Sequence, residues 1–148
     1  MDTQKLRVRL RRLDEVLNDL RHQPSVTLAE FLGDRMRQAA TERQLQVAAQ
    51  ICLDIGASLV AEFGLPAPGD LPGIFTTLSK AGFIPAELGE RMVRLARFRN
   101  VLIYLYVEAD PKIVYERWTN GLSDFDDFAR AVVAFIEKHE ADNKESPQ

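Results

Sequence analysis

The sequence predicts an all-α chain, a bundle of about four long helices with shorter ones between them. Three observations carry this expectation. Apolar residues recur at steps of three and four through most of the 148 residues, glycines and prolines fall between these stretches, and the one strand-like segment has no partner strand.

Leu6, Leu10, Leu13, Leu17 and Leu20 follow one another at steps of 4, 3, 4 and 3, which is one apolar seam on a helix. Pro24 ends it, and Ser25 or Thr27 is placed to cap a short helix carrying Leu28, Phe31 and Leu32 before Gly33. Residues 34–63 hold no proline and one glycine, Gly56, while Leu45, Ala48, Cys52, Ile55 and Leu59 keep helical steps, so one long helix is expected. Gly64 suits the position after that helix, and Pro66, Pro68 and Pro72 with Gly69 and Gly73 mark the extended loop. Residues 74–81 read as a short helix closed by Gly82, and Pro85 opens the next. There Leu88, Met92, Leu95, Phe98 and Leu102 continue the pattern, which carries helix through residues 101–107. In isolation those seven β-branched and aromatic residues would be a strand. Pro111 opens a helix with Ile113, Val114 and Trp118, Gly121 breaks it, and Ser123 is expected to cap a last helix with Phe125, Phe128, Val132, Phe135 and Ile136. Residues 1–140 are expected to form a single domain and residues 141–148 a frayed polar tail.

Composition narrows the function classes. Hydrophobic residues at 46% and charged residues at 28% permit a sizeable core and exclude wholesale disorder. The longest apolar run is seven residues, against the 18 or more that a membrane-spanning helix needs, so no span is expected. The N-terminus leads into charge rather than into a signal peptide, which predicts a cytoplasmic chain. Cys52 is the only cysteine, and with histidines at 22 and 139 alone it assembles neither a disulfide nor a zinc site. No metal and no cofactor are expected. A net charge of −3 hides an uneven distribution. Lys5, Arg7, Arg9, Arg11 and Arg12 form one basic run and Arg91, Arg94, Arg97 and Arg99 another, while Asp124, Asp126, Asp127, Glu137, Glu140, Asp142 and Glu145 gather later. Such runs are either solvated helix faces or a basic patch for phosphates.

The common catalytic templates are absent: no glycine-rich phosphate loop, no Gly-x-Ser-x-Gly and no His-Glu-x-x-His. Glu87 with Glu90, and Asp124 with Asp127, stand three apart, a spacing that reads as solvated faces. The chemistry concentrates in residues 97–106, where Arg99 and Asn100 precede Tyr104 and Tyr106 in an otherwise apolar helix. At about 100° per residue, Arg99 and Tyr106 fall within roughly 20° of each other, two turns apart. A buried arginine needs a partner, since an unpaired buried charge costs several kcal/mol. One reading pairs Arg99 with Asp54 on the long helix and leaves the tyrosines as core aromatics.

The other reading comes from a resemblance. Arg99-Asn100-x-x-x-Tyr104-x-Tyr106 resembles the Arg-x4-His-x-Tyr motif of the HepT-like toxins, members of the HEPN superfamily. Residues 45–56 resemble that family's long second helix, residues 81–85 its approach to the motif helix, and residues 107–115 the segment beyond the motif, so that roughly residues 5–140 are covered in order. The resemblance implies a HEPN-like helical bundle, a homodimer whose motif helices meet at a cleft, and metal-independent RNA cleavage (of tRNA or mRNA) by an endoribonuclease. It implies that Arg99 contacts the scissile phosphate, that Asn100 is its polar neighbour, and that Tyr106 accepts AMP from an antitoxin, a minimal nucleotidyltransferase of the MntA type that silences the toxin. Arg91, Arg94 and Arg97 would add phosphate contacts that do not read sequence. Tyr104 departs from the motif, standing where the family has the histidine acting as acid or base. Histidine exchanges protons near pH 6.5, whereas a phenol, with an ordinary value near 10, can donate but is a poor base. The resemblance therefore implies either a toxin with a weakened nuclease site or a non-catalytic dimer that binds a nucleotide or the partner nucleotidyltransferase. A third alternative is an interaction bundle with no nucleotide role.

Overall fold

In the computed structural model, which describes residues 1–104 and 110–145, seven α-helices account for the secondary structure of the described residues. They are α1 (Thr3–His22), α2 (Leu28–Leu32), α3 (Arg35–Glu62), α4 (Gly73–Lys80), α5 (Ala86–Tyr104), α6 (Pro111–Asn120) and α7 (Ser123–Glu145). Four long helices with three short ones is the architecture that the apolar spacing predicts. The strand reading of residues 101–107 fails for the first four, which lie in α5, and the rest of that segment, Tyr106 included, falls outside the described residues.

Local chemistry sets the helix ends. Asp2 caps α1 by accepting from the backbone N–H of Gln4 and Lys5, and Asp34 caps α3 through Arg37. Thr27 and Glu30 form a reciprocal capping box on α2. Gly64 and Gly82 take φ of 58° and 84° just past α3 and α4, a conformation that glycine adopts without steric cost. Two expectations need correction. Ser123 is the first residue of α7 rather than its cap, because the N–H groups of Phe125 and Asp126 reach the Leu122 carbonyl. Helix also continues through residues 141–145 instead of fraying after His139. One turn earlier, Glu140 is tied to α1 by Arg7 at 2.9 Å and Thr3 at 3.0 Å.

The core is built around α3, which packs against every other helix of the bundle. Leu45, Ala48, Cys52, Ile55 and Leu59 are at most 2% exposed, and burial pushes the Cys52 thiol well above its ordinary value. By length and hydropathy alone α3 is also apolar enough to cross a membrane, which the central helix of a bundle commonly is. The short α4 lies close to α3 because Gly56 has no side chain: a Cβ there would sit 2.5 Å from Ile74 Cγ2. The α6 helix is held to the α1–α2 connection by Trp118 Nε1 donating to the Leu20 carbonyl and Tyr115 Oη to that of Val26, both at 2.7 Å. Phe31 packs between those two rings. The long α3 helix packs against both α5 and α6.

Candidate active site

The described end of α5 presents Arg99 and Asn100 half-buried and Tyr104 exposed at 70%. Phe98 and Leu102 point into the core and anchor this turn, so alternation of buried and open positions on one helix leaves the polar pair at the surface of the bundle. Arg99 donates through Nη1 to Asn100 Oδ1 at 2.9 Å and through Nη2 to Gln50 Oε1 on α3. Its Nε is buried and has no acceptor among the described residues. The expected pairing with Asp54 is therefore corrected. Asp54 lies one helical turn beyond Gln50 on α3, is exposed, and accepts from Gln50 Nε2 at 2.8 Å. The acid orients the amide, and the amide holds the arginine.

The second basic group divides. Arg94 and Arg97 are exposed beside Lys80, around a cleft of about 350 Å³ between α4 and α5. Arg91 turns the other way, and the expectation that it contacts phosphate does not fit its surroundings. Its guanidinium meets Asp124 and Asp127 at 2.9 Å each and Glu87 at 2.8 Å. Hydrogen bonds donated to Asp127 first, and to Asp124 and Glu87, hold its proton still more firmly than usual, though partial burial opposes them. Asp124 also takes Arg117 at 3.0 Å, and Arg117 lies over the Phe98 ring at 5.4 Å. Asp124 and Asp127 thus serve a network joining α5, α6 and α7 rather than the solvated face their spacing implied. Sequence spacing does not reveal this network, because Arg91 lies more than 30 residues from Asp124 and Asp127 in the chain.

The two histidines have other partners. His22 Nδ1 lies 2.6 Å from the Asn18 carbonyl oxygen at the end of α1, and His139 stacks on Phe135 near Phe63. Among the described residues no group of three or more His, Cys, Asp or Glu is placed to hold a metal ion. Exposed apolar side chains border the motif. Val101 and Tyr104 on α5 and Ile113 on α6 are 38%, 70% and 52% exposed, next to a cavity of about 260 Å³ that Phe98, Leu102 and Val114 also line. Arg99 presents a fixed guanidinium beside an amide, groups that bind a phosphate, while Tyr104, about 140° around the helix from Arg99, presents an open phenol that can donate a proton.

Comparison with known proteins bears on the family and the fold. A curated tRNA nuclease HepT from Aphanizomenon flos-aquae (strain 2012/KM1/D3) is 22% identical over 138 residues, 93% of this chain and 94% of the relative. Among solved structures, YutE of Bacillus subtilis, a cytosolic protein of unknown function, superposes with a TM-score of 0.81 at 18% identity, covering 94% of this chain and 93% of that one. A tri-AMPylated Shewanella oneidensis HEPN toxin in complex with its MNT antitoxin superposes with a TM-score of 0.72 at 22% identity, covering 86% and 92%. Residues 9–132, which hold most of the helical framework and the polar turn on α5, match the model of the Ribonuclease HepT-like family, and the chain belongs to that family.

Proposed function

We propose that this protein is the toxin of a toxin–antitoxin pair, a metal-independent HEPN-type endoribonuclease with a weakened site, silenced by AMP transferred to Tyr106 from a nucleotidyltransferase antitoxin. The observation that carries the reading is Arg99. It is fixed by two neutral amides, and no carboxylate among the described residues touches its guanidinium, so its full charge is available to a phosphate. Family membership and the nuclease and antitoxin complexes among the relatives support the same assignment.

In the proposed reaction a ribose 2′-hydroxyl attacks the adjacent phosphorus and the 5′-oxygen leaves, giving a 2′,3′-cyclic phosphate and a 5′-hydroxyl end. Arg99 stabilises the charge that builds on the phosphoryl oxygens. Tyr104 donates a proton to the departing 5′-oxygen. Its exposure at the end of α5 leaves the phenol accessible to that oxygen. Being a poor base at neutral pH, it leaves removal of the 2′-proton to solvent, which is why the site is slow. Arg94 and Arg97 add salt-dependent affinity for the RNA backbone. A second copy of the chain covers Val101 and Ile113 and brings two motif helices to one cleft, onto which Tyr104 opens. The substrate is tRNA, the partners are the second copy and the nucleotidyltransferase, and the protein acts in the cytoplasm.

Induced expression in bacterial cells tests this. Growth is expected to arrest, to continue with Arg99→Ala, and to recover when the nucleotidyltransferase encoded beside the gene is co-expressed, with AMP found on Tyr106 by mass spectrometry. Unimpeded growth together with no complex with the nucleotidyltransferase would contradict it. Tyr104 standing in place of the family's histidine favours a second reading, a non-catalytic dimer that binds nucleotide or the nucleotidyltransferase; complex formation without growth arrest is its signature.

A further inference from the structure

We infer that Gln50 is a positioning residue whose uncharged amide holds Arg99 in place while keeping its charge available to the RNA phosphate, and that Asp54 sets the orientation of that amide. The inference rests on Arg99 being the phosphate contact, as proposed above.

Donors and acceptors decide the arrangement. A guanidinium can only donate and a carboxylate can only accept, whereas a carboxamide does one at each end. Gln50 Oε1 accepts from Arg99 Nη2, and Gln50 Nε2 donates to Asp54 Oδ1 at 2.8 Å. The carboxylate therefore dictates which way the amide faces, and its oxygen is left for the arginine. Gln50 and Asp54 are four residues apart on α3, so one face of a rigid, buried helix carries both. Gln50 and Arg99 are half-buried and Asp54 is exposed, which places the only full negative charge of this chain of contacts at the solvent end. An acid at position 50 would satisfy the same hydrogen bond and pair with the guanidinium directly, in competition with a phosphate. Asn100 Oδ1, the other acceptor on Arg99, is an amide oxygen too.

The test is the salt dependence of binding of fluorescein-labelled total tRNA, measured by anisotropy with the full chain. Arg99→Ala is expected to lower the slope of log affinity against log salt by about one for each Arg99 engaged, the value of a lost phosphate contact. Gln50→Glu is expected to lower it equally, with a melting temperature at or above that of the wild type. Adding Gln50→Glu to Arg99→Ala is expected to change nothing further, because both act through one charge. Gln50→Met, which removes the acceptor without adding charge, is expected to weaken binding while the slope is kept. Asp54→Asn can donate as well as accept, so it no longer dictates which way the Gln50 amide faces, and it is expected to weaken binding as Gln50→Met does while the slope is kept. If Arg99→Ala lowers the slope and Gln50→Glu does not, the role of Gln50 is overturned while the phosphate contact stands. If Asp54→Asn binds as the wild type, the orienting role of Asp54 is overturned. A slope unmoved by Arg99→Ala overturns both the phosphate reading and this inference.

Discussion

Tyr104→His is expected to raise the rate of tRNA cleavage at neutral pH by about 10²- to 10⁴-fold, the usual contribution of a positioned general acid or base. The substitution restores an imidazole, whose ordinary value lies near neutrality, in place of a phenol, which is ordinarily a poor base. It is also structurally inexpensive. Tyr104 is 70% exposed at the last described turn of α5, so no core contact depends on its ring. Initial rates with the wild type alongside check the magnitude, and the pH dependence gives an independent signature. The variant's rate should change across the imidazole range, whereas that of the wild type should not. A variant no faster than the wild type would mean that another group supplies the proton transfer and that the tyrosine does not weaken the site.

Arg91→Ala is expected to destabilise the fold by about 2–3 kcal/mol. Removing one partner from a buried ion pair costs roughly 3–5 kcal/mol, and a smaller value applies here because the network is only partly buried. Arg91 is 22% exposed, Asp124 13% and Asp127 35%, so Asp124 in particular has little water to replace the lost partner. Arg117 and the N-terminal end of α7 retain part of the compensation for Asp124, and Arg130 retains part for Asp127. Arg91→Lys should recover less than half of the loss, since an ammonium cannot reach three carboxylates with the fixed fork of a guanidinium. Denaturant unfolding measures both variants. A loss below about 0.5 kcal/mol would reduce the network to an ordinary surface ion pair.

The fold is legible wherever short-range chemistry decides it. The leucine seam of α1, the cap of α2 at Thr27 and the glycines that close α3 and α4 are all local signals, and each is where the spacing puts it. Features that depend on distant partners are less readable. Gln50 and Asp54 share one face of α3, so periodicity does not choose between them, and charge alone favours the acid. In the structure the nearer amide reaches Arg99. Arg91 stands in a run with Arg94 and Arg97, yet steps of three spread those side chains around the helix, and only Arg91 faces the acids that begin α7. The polarity of the end of α7 suggests fraying, because its tie to Arg7 and Thr3 spans the whole chain and leaves no local signal. For the site, the motif finds Arg99 and Asn100 and shows the departure at Tyr104. The arrangement that keeps the arginine both fixed and charged requires α3 and α5 to be brought together.

The most direct test of Arg99 as the group on which RNA cleavage depends is digestion of total tRNA in the presence of a chelator by the wild type and Tyr104→His, each with and without Arg99→Ala. Slow cleavage by the wild type, fast cleavage by Tyr104→His, and loss of both when Arg99 is replaced are the expected results. Cleavage that persists after Arg99→Ala in either background would contradict the assignment.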